Sequence, residues 1–195
     1  VGIDNIDVDA ATEKGIIVMN SPGGNTISTC EHTLSMMFAL ARKIPAADLS
    51  LKKGEWDRKK FTGIEIYHKT VGVVGLGRIG TEVVKRLTSF GVNIIAYDPF
   101  VSEELTKKIG VELVDMDTLM KKSDFITIHT PLTKETENLI DAKRLSLAKP
   151  NLFIINCARG GVVNEDALYE ALKLNKIAGA ALDVFVEEPP KGNKL

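Results

Sequence analysis

A glycine-rich turn between two apolar runs constrains this chain more than any other stretch. Residues 71–74 form a short, largely β-branched run of the kind expected for a strand buried on both faces, and Gly-Leu-Gly-Arg-Ile-Gly follows at 75–80. Apolar residues then recur at helical spacing until Gly91, and a second apolar run, 93–97, ends at Asp98. The stretch therefore predicts a strand, a glycine turn, a helix and a second strand that ends at an acid.

Each part of this unit suits the binding of a dinucleotide. Gly75 permits the tight turn, Gly77 lets a pyrophosphate approach the backbone, and Gly80 allows close packing of the helix. The helix N-terminus offers free N–H groups and a positive dipole end to the phosphates. Asp98 lies 18 residues after Gly80, where its carboxylate can bind an adenosine ribose and would repel a 2′-phosphate. The unit therefore predicts NAD as the cofactor rather than NADP.

The composition limits the class of protein. The chain has 195 residues, of which 44% are hydrophobic and 26% charged, as is ordinary for globular proteins. A net charge of −1 argues against a nucleic-acid partner, and no apolar run approaches the roughly 18 residues of a membrane span. The two cysteines, Cys30 and Cys157, lack metal-ligand spacing, so we expect no metal and a reduced, cytoplasmic compartment.

The rest of the chain continues the alternation of helices and strands. An apolar run at 16–19 has the character of a strand that needs a partner, and a turn-rich break follows at 21–25. We predict helices at 26–44, from Pro45 to 51, at 102–109 and at 141–147. We expect Asp117 to cap a helix that runs to 122, and Asn164 to cap a helix at 165–174. Further strands are predicted at 111–114, 125–128, 153–156 and 178–182. This order predicts an α/β fold with a doubly wound parallel sheet, the NAD-binding Rossmann architecture.

In such a sheet, ligands bind beyond the carboxyl ends of the strands. Arg159 is a fixed cation at such an end, followed by two glycines that leave room for a ligand. Its guanidinium can grip a carboxylate and polarise an adjacent carbonyl, although a structural ion pair is the alternative. We expect His129 to line the cofactor pocket or fill space rather than to act as acid or base. His32 is interpreted as a polar residue on a helix flank, and His68 as a surface residue.

Motifs along nearly the whole chain resemble those of the D-2-hydroxyacid dehydrogenase family. The matching stretches are, in order, VGIDNID, ATEKGIIVMNSPGGNTIS, EHTLSMMFALARKIP, GLGRIG, YDPF, DFITIHTPL, INCARGGVVNEDAL and AGAALDVFVEEPP. The stretch SLKKGEWDRKKFTG is similar to the branch of the family that acts on phosphoglycerate. The resemblance implies NAD-dependent oxidation of 3-phospho-D-glycerate to 3-phosphohydroxypyruvate, the first step of serine biosynthesis.

The resemblance also implies roles for individual residues. Arg159 would hold the substrate carboxylate, Glu188 would pair with the catalytic histidine, and Asn25 would approach the substrate. The implied cofactor-binding positions are Gly75, Gly77, Arg78, Ile79, Gly80, Tyr97, Asp98, Pro99, His129, Thr130, Pro131, Cys157, Ala158 and Asp183. The family usually pairs through this domain, which implies a homodimer.

Two departures from the family pattern shape the expected domain organisation. The acid/base histidine should follow Glu188 after one more strand, beyond Leu195, and most of the substrate domain should precede Val1. We therefore expect 1–22 to be a remnant of the substrate-binding domain and 23–195 to be a Rossmann domain truncated before its last strand. Such a chain should bind NAD but turn over substrate poorly or not at all.

Two alternatives share these features. One is another D-2-hydroxyacid dehydrogenase, such as a glyoxylate or hydroxypyruvate reductase. The other, of a different class, is an NAD-sensing binding protein of the corepressor kind, which would bind peptides rather than oxidise a hydroxy acid.

Overall fold

A computed structural model of the chain describes residues 2–3 and 6–195. Along these residues, helices and strands alternate after three initial helices. The elements are α1 Val8–Glu13, α2 Thr26–Ala41, α3 Ile44–Lys52, β1 Thr70–Val74, α4 Arg78–Thr88, β2 Asn93–Tyr97, α5 Glu103–Ile109, β3 Glu112–Leu113, α6 Met116–Lys122, β4 Phe125–Ile128, α7 Ala142–Leu145, β5 Phe153–Asn156, α8 Glu165–Lys173 and β6 Gly179–Leu182. No helix in this part of the chain has both the length and the apolar composition needed to cross a membrane.

The six strands form one parallel sheet with the order β3-β2-β1-β4-β5-β6. Strands β2 and β3 lie on one side of β1, and the chain then crosses over so that β4, β5 and β6 lie on the other side. A crevice opens at the carboxyl edge where the direction reverses, between β1 and β4. The predicted doubly wound parallel sheet is confirmed.

The central strands face two apolar cores, one on each side of the sheet. Val73 of β1 belongs to the core that contains Met37 of α2 and Val83 of α4. Its neighbour Val74 belongs to the other core, with Leu119 of α6. Successive residues of a strand point to opposite faces, so a strand that is covered on both sides is apolar at every position. This is why the strand runs in the sequence are continuous rather than alternating.

Several helix boundaries differ from their predictions, and α7 spans Ala142–Leu145 rather than 141–147. Helix α2 ends at Ala41 rather than at 44, because Lys43 has a left-handed backbone with φ of 54° before α3 begins. Helix α6 is capped by Asp115, whose Oδ1 accepts the N–H of Thr118 at 2.9 Å. The prediction of Asp117 as the cap is therefore wrong, since Asp117 already lies inside the first turn.

The apolar run at 16–19 does not form a strand. Ile17 and Met19 are 81% and 83% exposed, and residues 16–20 have no regular structure. A strand requires a neighbouring backbone that accepts and donates its hydrogen bonds. The six-stranded sheet of the described residues does not extend to this segment.

Candidate functional site

Five residues that directly follow strands form one row along the carboxyl edge of the sheet, which we call the edge row. The register pairs the last strand residues across the sheet in the order Tyr97, Val74, Ile128, Asn156 and Leu182. The residues that come next are Asp98, Gly75, His129, Cys157 and Asp183. The hydrogen bonding of the sheet continues one residue past the strands. The N–H of Gly75 donates to the carbonyl of Tyr97 at 2.9 Å, and the N–H of Asp183 donates to the carbonyl of Asn156 at 3.0 Å. All five members of the edge row were predicted from the sequence as cofactor-binding positions, and the fold brings them together.

The glycine turn after β1 meets three different steric requirements. Gly75 has φ of 92°, and a Cβ there would lie 2.8 Å from the carbonyl oxygen of His129. A Cβ on Gly80 would overlap the carbonyl oxygen of Gly75, so α4 can approach the turn only without a side chain at this position. At Gly77, by contrast, no atom lies within 4 Å of the Cβ position. The turn therefore leaves an open cradle at the N-terminus of α4, and this cradle fits the pyrophosphate of a dinucleotide.

Asp98 closes the cradle from the end of β2. Its Oδ2 accepts the N–H of Leu76 at 2.7 Å, and its Oδ1 accepts the N–H of Phe100 at 2.9 Å. An ionised carboxylate has about four acceptor positions, so each oxygen can accept a further hydrogen bond. This capacity suits the two neighbouring hydroxyls of a ribose.

A cleft of about 280 Å³ lies beside the glycine turn and brings together predicted residues that are far apart in the sequence. It is lined by Gly2, Asn20, Pro22, Gly23, Asn25, Thr26, Arg78, Ile79, His129 and Arg159. Both predicted substrate-binding residues, Asn25 and Arg159, are among them. Two guanidinium groups on one small cleft favour an anionic ligand.

The turn that carries Arg159 is shaped by Asn156, a residue that the sequence analysis missed. The side chain of Asn156 donates to the carbonyl of Arg159 at 2.9 Å and accepts the N–H of Ala158 at 3.0 Å. It is only 2% exposed. Arg159 Nη1 also donates to the carbonyl of Ala158 at 2.7 Å. The available signal was a polar side chain at the last position of a buried, otherwise apolar strand.

Gly160, the first of the two glycines after Arg159, makes room for a neighbouring loop of the protein rather than for a ligand. A Cβ on Gly160 would overlap the carbonyl group of Phe185, in the loop that follows β6. Gly161 has φ of 81°, which disfavours other residues. The expectation that both glycines leave room for a ligand is therefore wrong for Gly160, whose missing side chain admits the neighbouring loop.

The three histidines have three different environments. His129 is half-buried, lies 2.9 Å through Nε2 from the Oγ1 of Thr127, and has its pKa lowered by burial to about 4. A neutral imidazole at physiological pH fits the expected lining role. His68 is exposed and its ring lies 3.7 Å from that of Tyr67. His32 is on a helix flank as expected, but this flank faces the edge row, with Nε2 3.2 Å from Oδ1 of Asp183.

The other predicted residues lie next to the edge row or farther along the loops. Tyr97, Thr130 and Ala158 are half-buried, whereas Pro99 and Pro131 are exposed. Glu188 is exposed in the loop after β6, where its Oε1 accepts the N–H of Phe185 at 3.0 Å. Among the described residues that line the cleft with Arg159, Glu188 does not appear.

Comparison with curated proteins gives relatives over the whole chain. A protein named D-3-phosphoglycerate dehydrogenase from Methanocaldococcus jannaschii is 60% identical over 196 residues, covering 100% of this chain and 37% of the relative. One with the same name from Archaeoglobus fulgidus is 58% identical over 190 residues, covering 97% of this chain and 36% of the relative. The chain therefore spans little more than a third of the length of these relatives.

Solved structures and family models agree with that result. The structure of D-lactate dehydrogenase from Aquifex aeolicus, complexed with NAD and lactic acid, is 38% identical and has a TM-score of 0.87. The match covers 96% of this chain and 56% of that one. The model of the D-isomer specific 2-hydroxyacid dehydrogenase NAD binding domain matches residues 34–195. The chain thus belongs to the D-isomer specific 2-hydroxyacid dehydrogenase family and contains its NAD-binding domain.

Proposed function

We propose that this chain is the NAD-binding part of an enzyme that oxidises 3-phospho-D-glycerate to 3-phosphohydroxypyruvate. The observation that carries the proposal is the 60% identity, over the whole chain, to a protein named for this substrate. The cleft supports it as well, because Arg78 and Arg159 give it the positive charge that a phosphorylated carboxylic acid requires.

In this proposal Arg159 holds the substrate carboxylate and polarises the carbonyl that forms at the neighbouring carbon. Asn156 keeps the Arg159 turn in place through its two backbone hydrogen bonds. NAD, when bound, accepts the hydride from the carbon that carries the hydroxyl. The cradle at Gly77 and the carboxylate of Asp98 would hold the cofactor, and the neutral ring of His129 lines the cleft beside the glycine turn.

The proton of the substrate hydroxyl needs a base, and the three histidines of the chain have other contacts. His32 contacts Asp183, His129 contacts Thr127, and His68 packs against Tyr67. We propose that a histidine outside residues 1–195 is the base and that Glu188 pairs with it. On this view 1–22 belongs to the substrate-binding domain and 23–195 to the nucleotide-binding domain, so the chain alone binds NAD with little turnover.

Calorimetric titration of the chain with NADH and, separately, with NADPH tests the cofactor assignment. We expect saturable binding of NADH and at least about tenfold weaker binding of NADPH, because Asp98 repels a 2′-phosphate. Equal affinities, or no binding of NADH to the folded chain, would contradict it. The substrate assignment is tested by profiling the full-length protein with 3-phosphoglycerate, glyoxylate and hydroxypyruvate, and faster turnover of either of the last two would favour the reductase alternative.

The cellular setting follows from the same proposal. The enzyme would supply serine biosynthesis in the cytoplasm and would act as a homodimer that pairs through this domain. Exposed apolar side chains near α3 support a pairing surface, since Leu49, Leu51 and Trp56 are 55–75% exposed. Sedimentation of the full-length protein tests this, and a monomer at micromolar concentration would contradict it.

A further inference from the structure

Three side chains with different ligand atoms meet at one end of the edge row. His32 comes from α2, Cys157 follows β5, and Asp183 follows β6. Helix α2 packs against both of these strands, which brings residues from distant parts of the chain together. The imidazole nitrogen, the thiol sulfur and a carboxylate oxygen all lie within 4.8 Å of one another. Nε2 of His32 lies 3.2 Å from Oδ1 of Asp183.

This set of ligand atoms suits a borderline-soft divalent cation. Nitrogen, sulfur and oxygen donors in one group favour the zinc class over magnesium or calcium, which prefer oxygen alone. Around a tetrahedral zinc ion, ligand atoms lie roughly 3.3–3.8 Å apart. A pair at the 4.8 Å limit would have to approach by about 1–1.5 Å, which is within reach of a side-chain rotation at His32 or Asp183.

Burial sets the shape of the group. Cys157 is 8% exposed and forms its floor, whereas the side chains of His32 and Asp183 are 48% and 50% exposed and form its open side. An ion bound here would have three protein ligands, with a fourth position open to water. That is the arrangement of a reactive or exchangeable zinc site rather than of a closed structural one.

We propose that His32, Cys157 and Asp183 form a binding site for a zinc-class divalent cation, and that the bound ion excludes the dinucleotide. The second half rests on the proposed function, since Cys157 and Asp183 are also expected to contact the cofactor. On binding, the Cys157 thiol loses its proton to solvent as the sulfur–metal bond forms. His32 binds the ion through Nε2 as the neutral tautomer with its proton on Nδ1, and this bond replaces its 3.2 Å contact with Asp183.

The open side of the group makes the site exchangeable. The side chains of His32 and Asp183 are about half exposed, so an ion can enter and leave through solvent. The negative charge of the Asp183 carboxylate attracts the cation. We therefore expect an exchangeable, inhibitory site rather than a permanently filled one.

Titration of the reduced chain with Co²⁺, followed by absorption, tests the site directly. A cobalt–thiolate bond gives a near-ultraviolet charge-transfer band, which we expect to saturate at one ion per chain. His32→Gln is the main variant, because this half-exposed side chain can change without disturbing the core. We expect it to weaken cobalt binding by at least about tenfold, and Cys157→Ala to abolish the band. Cys30→Ala is the matched control, since Cys30 is also buried and reduced but lies outside the group.

The outcomes separate the two halves of the proposal. A band that survives Cys157→Ala, or that is lost equally in Cys30→Ala, would overturn the cation site. NADH titrations with and without saturating Zn²⁺ test exclusion, for which we expect at least about a tenfold loss of NADH affinity. Unchanged affinity would overturn exclusion while leaving the site. If NADH does not bind even without metal, the proposed cofactor function fails, and the cobalt band still decides the cation site.

Discussion

Asp98 Oδ2 accepts the backbone N–H of Leu76 at 2.7 Å and thereby joins the end of β2 to the turn after β1. The two residues are 22 apart in the sequence, so the bond links two strands at the point where a dinucleotide is expected to cross. The other carboxylate oxygen of Asp98, Oδ1, accepts the N–H of Phe100. Asp98 therefore positions the glycine turn as well as presenting a carboxylate to a ribose.

Replacing Asp98 should affect both affinity and cofactor preference. We expect Asp98→Ala to weaken NADH binding about 10- to 100-fold, because hydrogen bonds to a charged group contribute about 1.5–3 kcal/mol. The preference for NADH over NADPH should narrow, since the repulsion of the 2′-phosphate is removed. Calorimetry on both cofactors measures each effect. Asp48→Ala, on the exposed face of α3, is the control, and an equal loss in both variants would refute the role of Asp98.

Two glycines of the same turn should respond to alanine in opposite ways. Gly80→Ala should lower the free energy of unfolding by about 1–3 kcal/mol, because its methyl group overlaps the backbone of Gly75. Gly77→Ala should change that free energy by less than about 1 kcal/mol, since no atom lies near the new methyl group. Gly77→Ala should still weaken NADH binding at least about tenfold, because the methyl group fills the cradle. Chemical denaturation and calorimetry distinguish the two, and normal NADH affinity in Gly77→Ala would count against the cradle.

The stability of the fold should fall in acid partly through His129. Folding lowers the pKa of His129 from 6.5 to about 4 by burial, so the unfolded chain binds more protons between these values. The stabilisation is complete above about pH 6.5 and is lost as the pH falls towards 4, by at most about 3 kcal/mol. Chemical denaturation at a series of pH values measures it.

The matched variants for this effect are His129→Asn and His68→Asn. The first should flatten the stability profile between pH 6.5 and 4 relative to the unmodified chain. The second, at an exposed site, should leave the profile as it is. If the free energy of unfolding changed with pH in the same way for the unmodified chain and for His129→Asn, the pKa of this ring would not differ between the folded and unfolded states.

Asn156 should matter to both stability and substrate binding. Asn156→Ala removes the Asn156 hydrogen bonds to the partly buried N–H of Ala158 and to the carbonyl of Arg159, so we expect a loss of about 2–4 kcal/mol in the free energy of unfolding. In the full-length protein the KM for the proposed substrate, 3-phosphoglycerate, should rise, because the Arg159 turn is no longer fixed. Asn93→Ala, at an exposed position of β2, serves as the control. A KM unchanged in a folded Asn156→Ala protein would remove Asn156 from the list of positioning residues.

Much of the sheet could be predicted because its central strands, β1, β4 and β5, are buried on both faces. The runs at 93–97, 125–128 and 153–156 are strands at those residues, since continuous apolar runs between polar ends leave little freedom in the register. Helix caps were harder to predict. Asp115 and Asp117 both precede the same apolar pattern, and only the backbone geometry decides which one accepts the Thr118 N–H.

Contacts between distant segments were beyond the reach of sequence patterns. Nothing in the spacing of His32, Cys157 and Asp183 indicates that they meet, because they meet through the packing of α2 across β5 and β6. Gly160 is a similar case. Its neighbour in space, Phe185, lies in the loop after the next strand, so a glycine expected to admit a ligand admits the backbone instead.

Because the residues of the edge row directly follow the strands, the length of each strand determines where these residues lie and which way their side chains point. Each residue of a strand advances the chain by about 3.3 Å and turns the side chain to the opposite face. Deleting one residue of β5 would therefore draw Cys157 back from the edge and point its side chain into the wrong core, even if the sheet survived. Apart from the glycine turn and the Arg159 turn, loops at this edge can gain or lose residues at small cost, so evolution of substrate choice has room in these loops and almost none in the strands.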